Sequence, residues 1–291
     1  MLETHRGISS GAVRGNSGGQ AFSGTSMLEL EFAELSDPGK VRGHNEDYLG
    51  HAVPGKDHSR ERGWLFALAD GVGGQDRGEV ASRLAIETLQ LGFADYRPNE
   101  SPAASLERLV QTANLKICEA ASSASPGGSS MCTTVVACLL RFDRVIVAHV
   151  GDSRCYLIRR GQAEVLTRDH SLVGEQVRMG LLTEEEAQQS ERRHLLSRSL
   201  GANLFVNVEV DERQLLPGDI LLLSSDGLHG AVTAKEIAIL TGQFHHLSEA
   251  GRALVTLARD KDGSDNISVQ LIRVKDVERM GMYRGRPYKL R

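Results

Sequence analysis

The chain has 291 residues, of which 40% are hydrophobic and 4% aromatic, and its 38 acidic and 34 basic side chains give a formal net charge of −4. This length suits one large domain or two small ones, and the hydrophobic content argues against a wholly disordered chain. General nucleic-acid binding is not expected, because it needs a basic domain or stripe and, for single strands, aromatic stacking platforms.

Cysteine usage and hydropathy predict a cytoplasmic protein that does not enter a membrane. The four cysteines form no C-x-x-C pair and have no histidine at zinc-ligand spacing, so we expect reduced thiols that fill small core positions: Cys118, Cys132, Cys138 and Cys155. No run of about 18 apolar residues is present, and the first residues lack the apolar stretch of a secretory signal.

Composition divides the chain into an arm, one domain and a tail. Residues 1–26 are rich in Gly, Ser and Thr without helical or strand periodicity, which predicts a disordered N-terminal arm. A single folded domain is predicted over residues 27–275. Residues 276–291 are basic and contain glycine, and we expect them to form a loose C-terminal tail.

The first half of the domain reads as strands followed by two helices. An apolar run at residues 64–69 ends abruptly at Asp70 and Gly71, which predicts a buried strand that leads into a turn. Apolar side chains at helical spacing then predict one helix over residues 78–95 and another over about 106–117.

The second half begins with a predicted β-meander and returns to strands after two more helical regions. The predicted strands are 133–140, 145–150, 155–158, 163–166, 205–210, 220–223 and 267–274. Helix starts are marked by capping-box patterns at Thr183 with Glu186 and Thr233 with Glu236, and another helix is predicted over 248–260. This order predicts an α+β fold of two packed sheets flanked by helices.

Acidic residues stand at the ends of predicted strands in five places. They are Glu46-Asp47, Asp70-Gly71, Gly151-Asp152, Asp226-Gly227 and Asp265-Asn266. A single Asp-Gly pair is most often a simple turn. A carboxylate that ends a buried strand is costly unless it is paired or bound to metal, and converging carboxylates repel one another. Mg²⁺ or Mn²⁺, which prefer oxygen ligands, would relieve that repulsion.

Such a metal pair suits the hydrolysis of a phosphate ester. Two cations about 3.5–4 Å apart can hold a bridging hydroxide, which attacks phosphorus in line without a covalent enzyme intermediate. Arg42 lies five residues before Asp47, and its guanidinium fork can bind two phosphate oxygens. A plain surface cation is the alternative role for this arginine.

The motifs, in this order, resemble those of the PP2C (PPM) family of metal-dependent serine/threonine protein phosphatases, in its compact bacterial branch. The segments are 41–47 (VRGHNED), 69–74 (ADGVGG), 150–154 (VGDSR), 225–228 (SDGL) and 265–268 (DNIS), with further similarity at 167–171 (TRDHS) and 196–201 (LSRSLG). The resemblance extends from about residue 28 to residue 274. It implies a central antiparallel β-sandwich of two sheets flanked by helices, with a mobile flap at residues 171–196.

The resemblance also implies a cofactor and a set of site residues. It implies two divalent cations, Mn²⁺ or Mg²⁺, and a third that binds weakly. Asp47, Asp70, Asp226 and Asp265 match the metal-site aspartates, Gly71 matches a carbonyl ligand, and Glu46 matches an acidic residue that acts through metal-bound water. Asp152 matches the aspartate that holds the third cation together with Asp226. Arg42 matches the phosphate-binding arginine, so Arg42 and Asp47 are the expected catalytic residues.

Two positions depart from the family pattern. Val72 stands where animal members often carry a histidine that has been proposed as general acid, so the leaving group must obtain its proton elsewhere. His44 is close in sequence, but we expect it to be structural or solvent-exposed. Cys132 stands where glycine is common, which suggests a hypothesis of oxidation sensitivity.

The function implied is hydrolysis of phosphoserine and phosphothreonine in proteins, in opposition to a bacterial serine/threonine kinase. The expected partners are that kinase and its phosphorylated substrates, with no nucleic acid and no membrane, and the expected form is a monomer. Two alternatives remain open at this point: a pseudophosphatase that binds phosphoproteins without turnover, and a different two-metal phosphoesterase.

Overall fold

The computed structural model describes most of the chain from residue 28 onward. The described residues are 28–53, 62–72, 77–95, 97, 100–124, 131–183, 186, 190, 192 and 195–278, with the backbone of 280–283 and 286–289. The predicted arm at residues 1–26 lies outside them.

Ten of the strands form two five-stranded antiparallel sheets. Sheet 1 has the order β1-β10-β9-β6-β7, with β1 at Glu29–Asp37, β10 at Ile267–Asp276, β9 at Ile220–Ser224, β6 at Arg154–Arg159 and β7 at Gln162–Val165. Sheet 2 has the order β2-β3-β4-β5-β8, with β2 at Asp47–Ala52, β3 at Trp64–Asp70, β4 at Val135–Arg141, β5 at Arg144–Val150 and β8 at Glu209–Gln214.

Helices cover the outer face of each sheet. Sheet 2 is covered by α1 (Gly78–Ala94) and α2 (Pro102–Ala124), and sheet 1 by α4 (Asp226–His229), α5 (Ala234–Gln243) and α6 (Leu247–Lys261), while α3 (Leu172–Arg178) lies in the connection between β7 and β8. The predicted α+β sandwich is therefore confirmed. None of the described helices is long and apolar enough to cross a membrane.

Strand β3 is buried on both of its faces, by helices on one side and by the other sheet on the other. Its side chains alternate between two faces: Leu65 and Ala67 pack against α1 and α2, whereas Phe66 and Leu68 pack between the two sheets. Because both faces are covered, the strand is apolar throughout rather than alternating with polar residues. Each large side chain buried in this way contributes roughly 1.5–3 kcal/mol to the free energy of folding.

Most element predictions are confirmed, with shifts at the ends. Both predicted capping boxes form, since Thr233 and Glu236 bond reciprocally at the start of α5 and Thr183 does the same with Glu186. The strand predicted at residues 205–210 instead runs from Glu209 to Gln214. The tail, expected to be loose, contains an antiparallel hairpin of β11 (Met280–Tyr283) with β12 (Arg286–Lys289).

Candidate active site and metal centre

Sheet 2 brings four of the predicted site residues to one edge. Asp47 and Asp70 are direct partners in the β2–β3 register. One residue further on, the Gly71 N–H donates to the Glu46 carbonyl oxygen at 3.0 Å. Gly71 admits no side chain, because a Cβ there would lie 2.5 Å from the Gly78 carbonyl oxygen. Asp47, Asp70, Glu46 and the Gly71 backbone therefore meet where β2 begins and β3 ends.

Sheet 1 supplies Asp226 and Asp265 at the matching edge. Asp226 is the first residue of α4, immediately after β9, and Asp265 precedes β10. The two segments approach closely at Gly227, where a Cβ would lie 2.0 Å from the Asn266 carbonyl oxygen. The glycine in this Asp-Gly pair is thus required by the close approach of the two backbones.

Ser225 joins the two halves of the site. Its hydroxyl donates to Asp47 Oδ2 at 2.8 Å and accepts from the Ser268 backbone N–H at 3.0 Å. The other carboxylate oxygen of Asp47, Oδ1, is buried and has no hydrogen-bond partner among the described residues. A buried carboxylate oxygen left unsatisfied costs free energy unless a cation or other partner meets it.

The charges of the cluster interact strongly. Burial raises the pKa of Asp47 to about 7, and the negative charges of Asp226 and Asp265 add to this, while the hydrogen bond from Ser225 acts in the opposite direction. The pKa of Asp70 is raised well above its usual range by burial and then by Asp47, Asp226, Asp152 and Asp265. So many carboxylates cannot all ionise without positive charge among them. An all-oxygen donor set with an orphaned buried oxygen fits Mg²⁺ or Mn²⁺.

Asp152 lies in the turn between β5 and β6, beside Asp226. Arg154 pairs with Ser224 at the end of the β6–β9 ladder, so Asp152 lies two residues before the ladder and Asp226 two residues after it. The pKa of Asp152 is raised well above its usual range by burial, with further contributions from the charges of Asp226 and Asp169. The structure therefore brings Asp152 into the cluster.

Glu46 and Arg42 border the cluster on its solvent side. Glu46 is partly buried, which raises the pKa of its carboxyl, while Arg42 acts in the opposite direction. Arg42 Nη2 donates to Asp265 Oδ2 at 2.7 Å, and 41% of the Arg42 side chain remains exposed. Its guanidinium is thus fixed against the acidic cluster and still open to an incoming anion.

Asn266 organises the loop that carries Arg42, a role that the motif reasoning missed. Its side-chain oxygen accepts from the Glu46 N–H at 2.8 Å, and its Nδ2 donates to the carbonyl oxygens of Pro38 and His44. In the sequence, Asn266 was noted only because it follows Asp265. His44 itself is exposed, as expected.

A second cluster of potential ligands, His149, His170 and Glu209, lies apart from the aspartates. In the described part of the chain it is the one group of three whose ligand atoms lie within 4.8 Å of one another. Arg198 Nη1, however, lies 3.2 Å from both His170 Nε2 and Glu209 Oε1. A permanent cation therefore occupies this position, and the cluster is better explained as an internal ion pair.

The predicted flap at residues 171–196 is described in part, and its base is well ordered by hydrogen bonds. Ser171 caps α3 by accepting from the Gly174 N–H, and it bridges to Leu196. The Ser197 hydroxyl donates to Glu175 at 2.7 Å. The predicted mobility of this segment stays a prediction.

Comparison with known proteins decides the family. The family model described as Protein phosphatase 2C matches residues 43–260. The chain belongs to the protein phosphatase 2C family. The Serine/threonine phosphatase stp of Listeria innocua is 35% identical over 254 residues, which cover 86% of this chain and 96% of that protein.

Solved structures of the family share the fold. The crystal structure of the Mycobacterium tuberculosis serine/threonine phosphatase PstP/Ppp is 34% identical, with a TM-score of 0.75 over 85% of this chain and 99% of that one. The PstP catalytic domain in complex with 2 manganese ions is 35% identical, with a TM-score of 0.73 over 86% and 100% of the two chains. The expected family, PP2C fold and class of metal-dependent protein serine/threonine phosphatase are confirmed, and neither alternative function is favoured.

Proposed function

We propose that this chain hydrolyses phosphoserine and phosphothreonine in proteins with the aid of two Mn²⁺ or Mg²⁺ ions held between its sheets. The observation that carries the proposal is the buried, unpartnered Oδ1 of Asp47 among carboxylates whose pKa values are raised together. The proposed ligands are the side chains of Asp47, Asp70, Asp226 and Asp265 and the carbonyl of Gly71, with Glu46 acting through water.

In this proposal each protein group has a separate task. When bound, the two cations supply an activated hydroxide nucleophile and stabilise charge on the phosphate. Asp47 is held through Oδ2 by Ser225, which leaves its buried Oδ1 available to a cation. Arg42 binds two phosphate oxygens, and its ion pair with Asp265 keeps the bound phosphate beside the acidic cluster.

The proposal extends to a third, weaker cation between Asp152 and Asp226. Each aspartate lies two residues from the same end of the β6–β9 ladder, and the charge of Asp226 contributes to the raised pKa of Asp152, which supports this pairing. Oxygen donors again favour Mg²⁺ or Mn²⁺.

We also propose that the enzyme acts as a cytoplasmic monomer on phosphoproteins that include a serine/threonine kinase and its substrates. The four cysteines are free thiols, which supports a reducing compartment. Phosphorylated side chains suit an exposed arginine beside a metal site.

The test is hydrolysis of p-nitrophenyl phosphate and a phosphothreonine peptide by wild type and Asp226→Asn, with Mn²⁺, Mg²⁺ or EDTA. Asp226→Asn removes a proposed ligand charge, so the rate should fall by about 100-fold or more. Asp260→Asn, an exposed aspartate on α6, is the matched control and should retain the wild-type rate.

Other outcomes distinguish the alternatives. Folded wild-type protein that shows no turnover with either metal would support the phosphoprotein-binding module instead. Cleavage of bis-esters as fast as monoesters would support a different two-metal phosphoesterase.

A further inference from the structure

His229 connects the two segments that carry the third-cation pair. It is the last residue of α4, whose first residue is Asp226, and its Nε2–H donates to the backbone carbonyl oxygen of Asp152 at 3.1 Å. That bond spans 77 residues of sequence, from the helix after β9 to the turn after β5. The distance between Asp152 and Asp226 therefore depends on this one side chain as well as on the strand register.

The Asp152 turn is fixed independently on its other side. Gly151 exchanges hydrogen bonds with His170, through its carbonyl to the His170 N–H at 2.9 Å and through its N–H to His170 Nδ1 at 3.1 Å. Arg154 forms a bidentate pair with Asp169, with N–O distances of 2.9 and 2.7 Å. These contacts hold the turn against residues 169–170, and none of them reaches α4.

Strand pairing also stops short of the two aspartates. The β6–β9 ladder ends at Arg154 and Ser224, two residues before Asp152 and two before Asp226. Beyond the end of the ladder no strand pairing joins the two segments to each other, and two carboxylates of like charge favour their separation. A hydrogen bond that crosses the gap opposes that separation.

We propose that His229 is a positioning residue, which sets the spacing of Asp152 and Asp226 for the weak third cation through its bond to the Asp152 carbonyl. This inference rests on the proposed function, because it assumes that the pair binds a cation. His229 acts through the backbone and does not touch the cation or the substrate. The Asp226 end of α4 is held by its own backbone contacts, the Gly230 N–H to the Asp226 carbonyl and Gly227 against Asn266. The part released by loss of the His229 bond is therefore the Asp152 turn. Loss of His229 should weaken the third site and leave the other two sites intact.

Two substitutions of His229 distinguish the length of its side chain from its polarity. The side-chain amide nitrogen of glutamine extends about as far as Nε2 of histidine, whereas that of asparagine is one methylene shorter. His229→Gln keeps a donor within reach of the Asp152 carbonyl, and His229→Asn keeps the polarity but loses the contact. Asp152→Asn is the reference variant, in which a proposed ligand charge of the weak site is removed.

The measurement is Mn²⁺ binding to the full-length protein, followed by the electron paramagnetic resonance signal of free Mn²⁺, with melting curves to confirm folding. Wild type should bind two ions tightly and one weakly. His229→Asn should raise the Kd of the weak ion by about tenfold, the lower end of the effect of outer contacts on metal ligands. His229→Gln should stay within about twofold of wild type, and the tight sites should be unchanged in both.

The inference is overturned if His229→Asn binds the weak ion as wild type does, or if His229→Gln loses as much affinity as His229→Asn. Two ions and no third in wild type would also overturn it, while the proposed hydrolysis would stand. A wild-type protein that binds no Mn²⁺ and turns over no substrate would instead overturn the proposed function itself.

Discussion

In the proposed mechanism, a single side chain, Arg42, joins the substrate to the metal centre. Its guanidinium is bonded to Asp265 and is still 41% exposed, so a phosphate can approach it without displacing the ion pair. Its hydrogen bond to Asp265 and the charges of Asp265, Glu46 and Asp226 raise its pKa against the effect of burial, so the guanidinium stays protonated.

Arg42→Gln should therefore raise the KM for p-nitrophenyl phosphate by about tenfold, because a charge-assisted, two-pronged contact to phosphate is lost. Arg42→Lys should recover part of the affinity, since it restores the charge but not the fork. Steady-state kinetics at saturating Mn²⁺ provide the measurement. Arg83→Gln, which breaks an exposed ion pair with Glu87 on α1, is the control, and equal KM values for wild type and Arg42→Gln would refute the role.

At the same scale, the sequence predicted the acidic residues but not the side chains that position them. Asp70 and Asp226 stood out because a carboxylate that ends an apolar strand has few explanations. Ser225, Asn266 and His229 gave no such signal, because a serine or asparagine beside an aspartate is equally common in turns. Their roles depend on partners far away in sequence, such as the Ser225 bond to Asp47 across 178 residues.

The elements show where pattern reasoning succeeds and where it fails. Strands β3 and β9 were predicted almost to the residue because both faces are buried and the runs are fully apolar. Strand β8 was misplaced by about four residues. It is an edge strand of sequence EVDERQ, paired with β5 alone among the described strands and without a buried residue, so tertiary pairing rather than hydrophobic pattern determines its position.

The flap base provides a prediction at the scale of elements. The Ser197 hydroxyl donates to Glu175 on α3, and the Ser197 N–H donates to the His170 carbonyl oxygen. The His170 N–H in turn donates to the carbonyl oxygen of Gly151, next to Asp152. These bonds connect α3 to the turn that carries Asp152. A large substrate that contacts the flap should sense this connection more than a small one.

Glu175→Ala should lower kcat/KM for a phosphothreonine peptide by about threefold, the value of one partly exposed hydrogen bond, and change that for p-nitrophenyl phosphate by less than twofold. Comparing the two substrates on the same preparation is the measurement. Glu119→Ala, which removes an exposed ion pair on α2, is the matched control. A parallel loss with both substrates would indicate that the flap base supports the active site in general and does not select substrates.

At the scale of the whole molecule, the acidic cluster lies where the two sheets meet. Asp47 and Asp70 belong to sheet 2, whereas Asp226 and Asp265 come from the ends of sheet 1 strands. Without cations, repulsion among these residues opposes the packing of the sheets against each other. Cations that bind between them should therefore stabilise the fold as well as serve the reaction.

The direction of the pH effect follows from the pKa shifts. Asp47 has a pKa of about 7 in the folded protein against 3.8 when unfolded, so between these values the folded state holds a proton that the unfolded state lacks. The free energy of unfolding therefore falls as the pH rises through about 7 and recovers as the pH is lowered. The raised pKa values of Asp70 and Asp152 act in the same direction. The buried His149 and His170 and the partly buried His229 have lowered pKa values, because loss of solvent disfavours their charged form. Below pH 6.5 the unfolded state therefore gains protons that the folded state does not, which opposes the trend.

In EDTA, the Tm should therefore rise by roughly 5 °C as the pH is lowered from about 8.5 to 6.5, and then level off. Millimolar Mn²⁺ should raise the Tm most at pH 8.5, where the carboxylates are free to bind it, and less at pH 6.5, where protons compete. Differential scanning fluorimetry across this range, with and without Mn²⁺, gives the comparison. Asp226→Asn should show a smaller pH dependence in EDTA because one repelling charge is absent. A Tm in EDTA that falls steadily between pH 8.5 and 6.5 would mean that the carboxylates do not oppose the packing of the sheets, and that the cations are needed for the reaction alone.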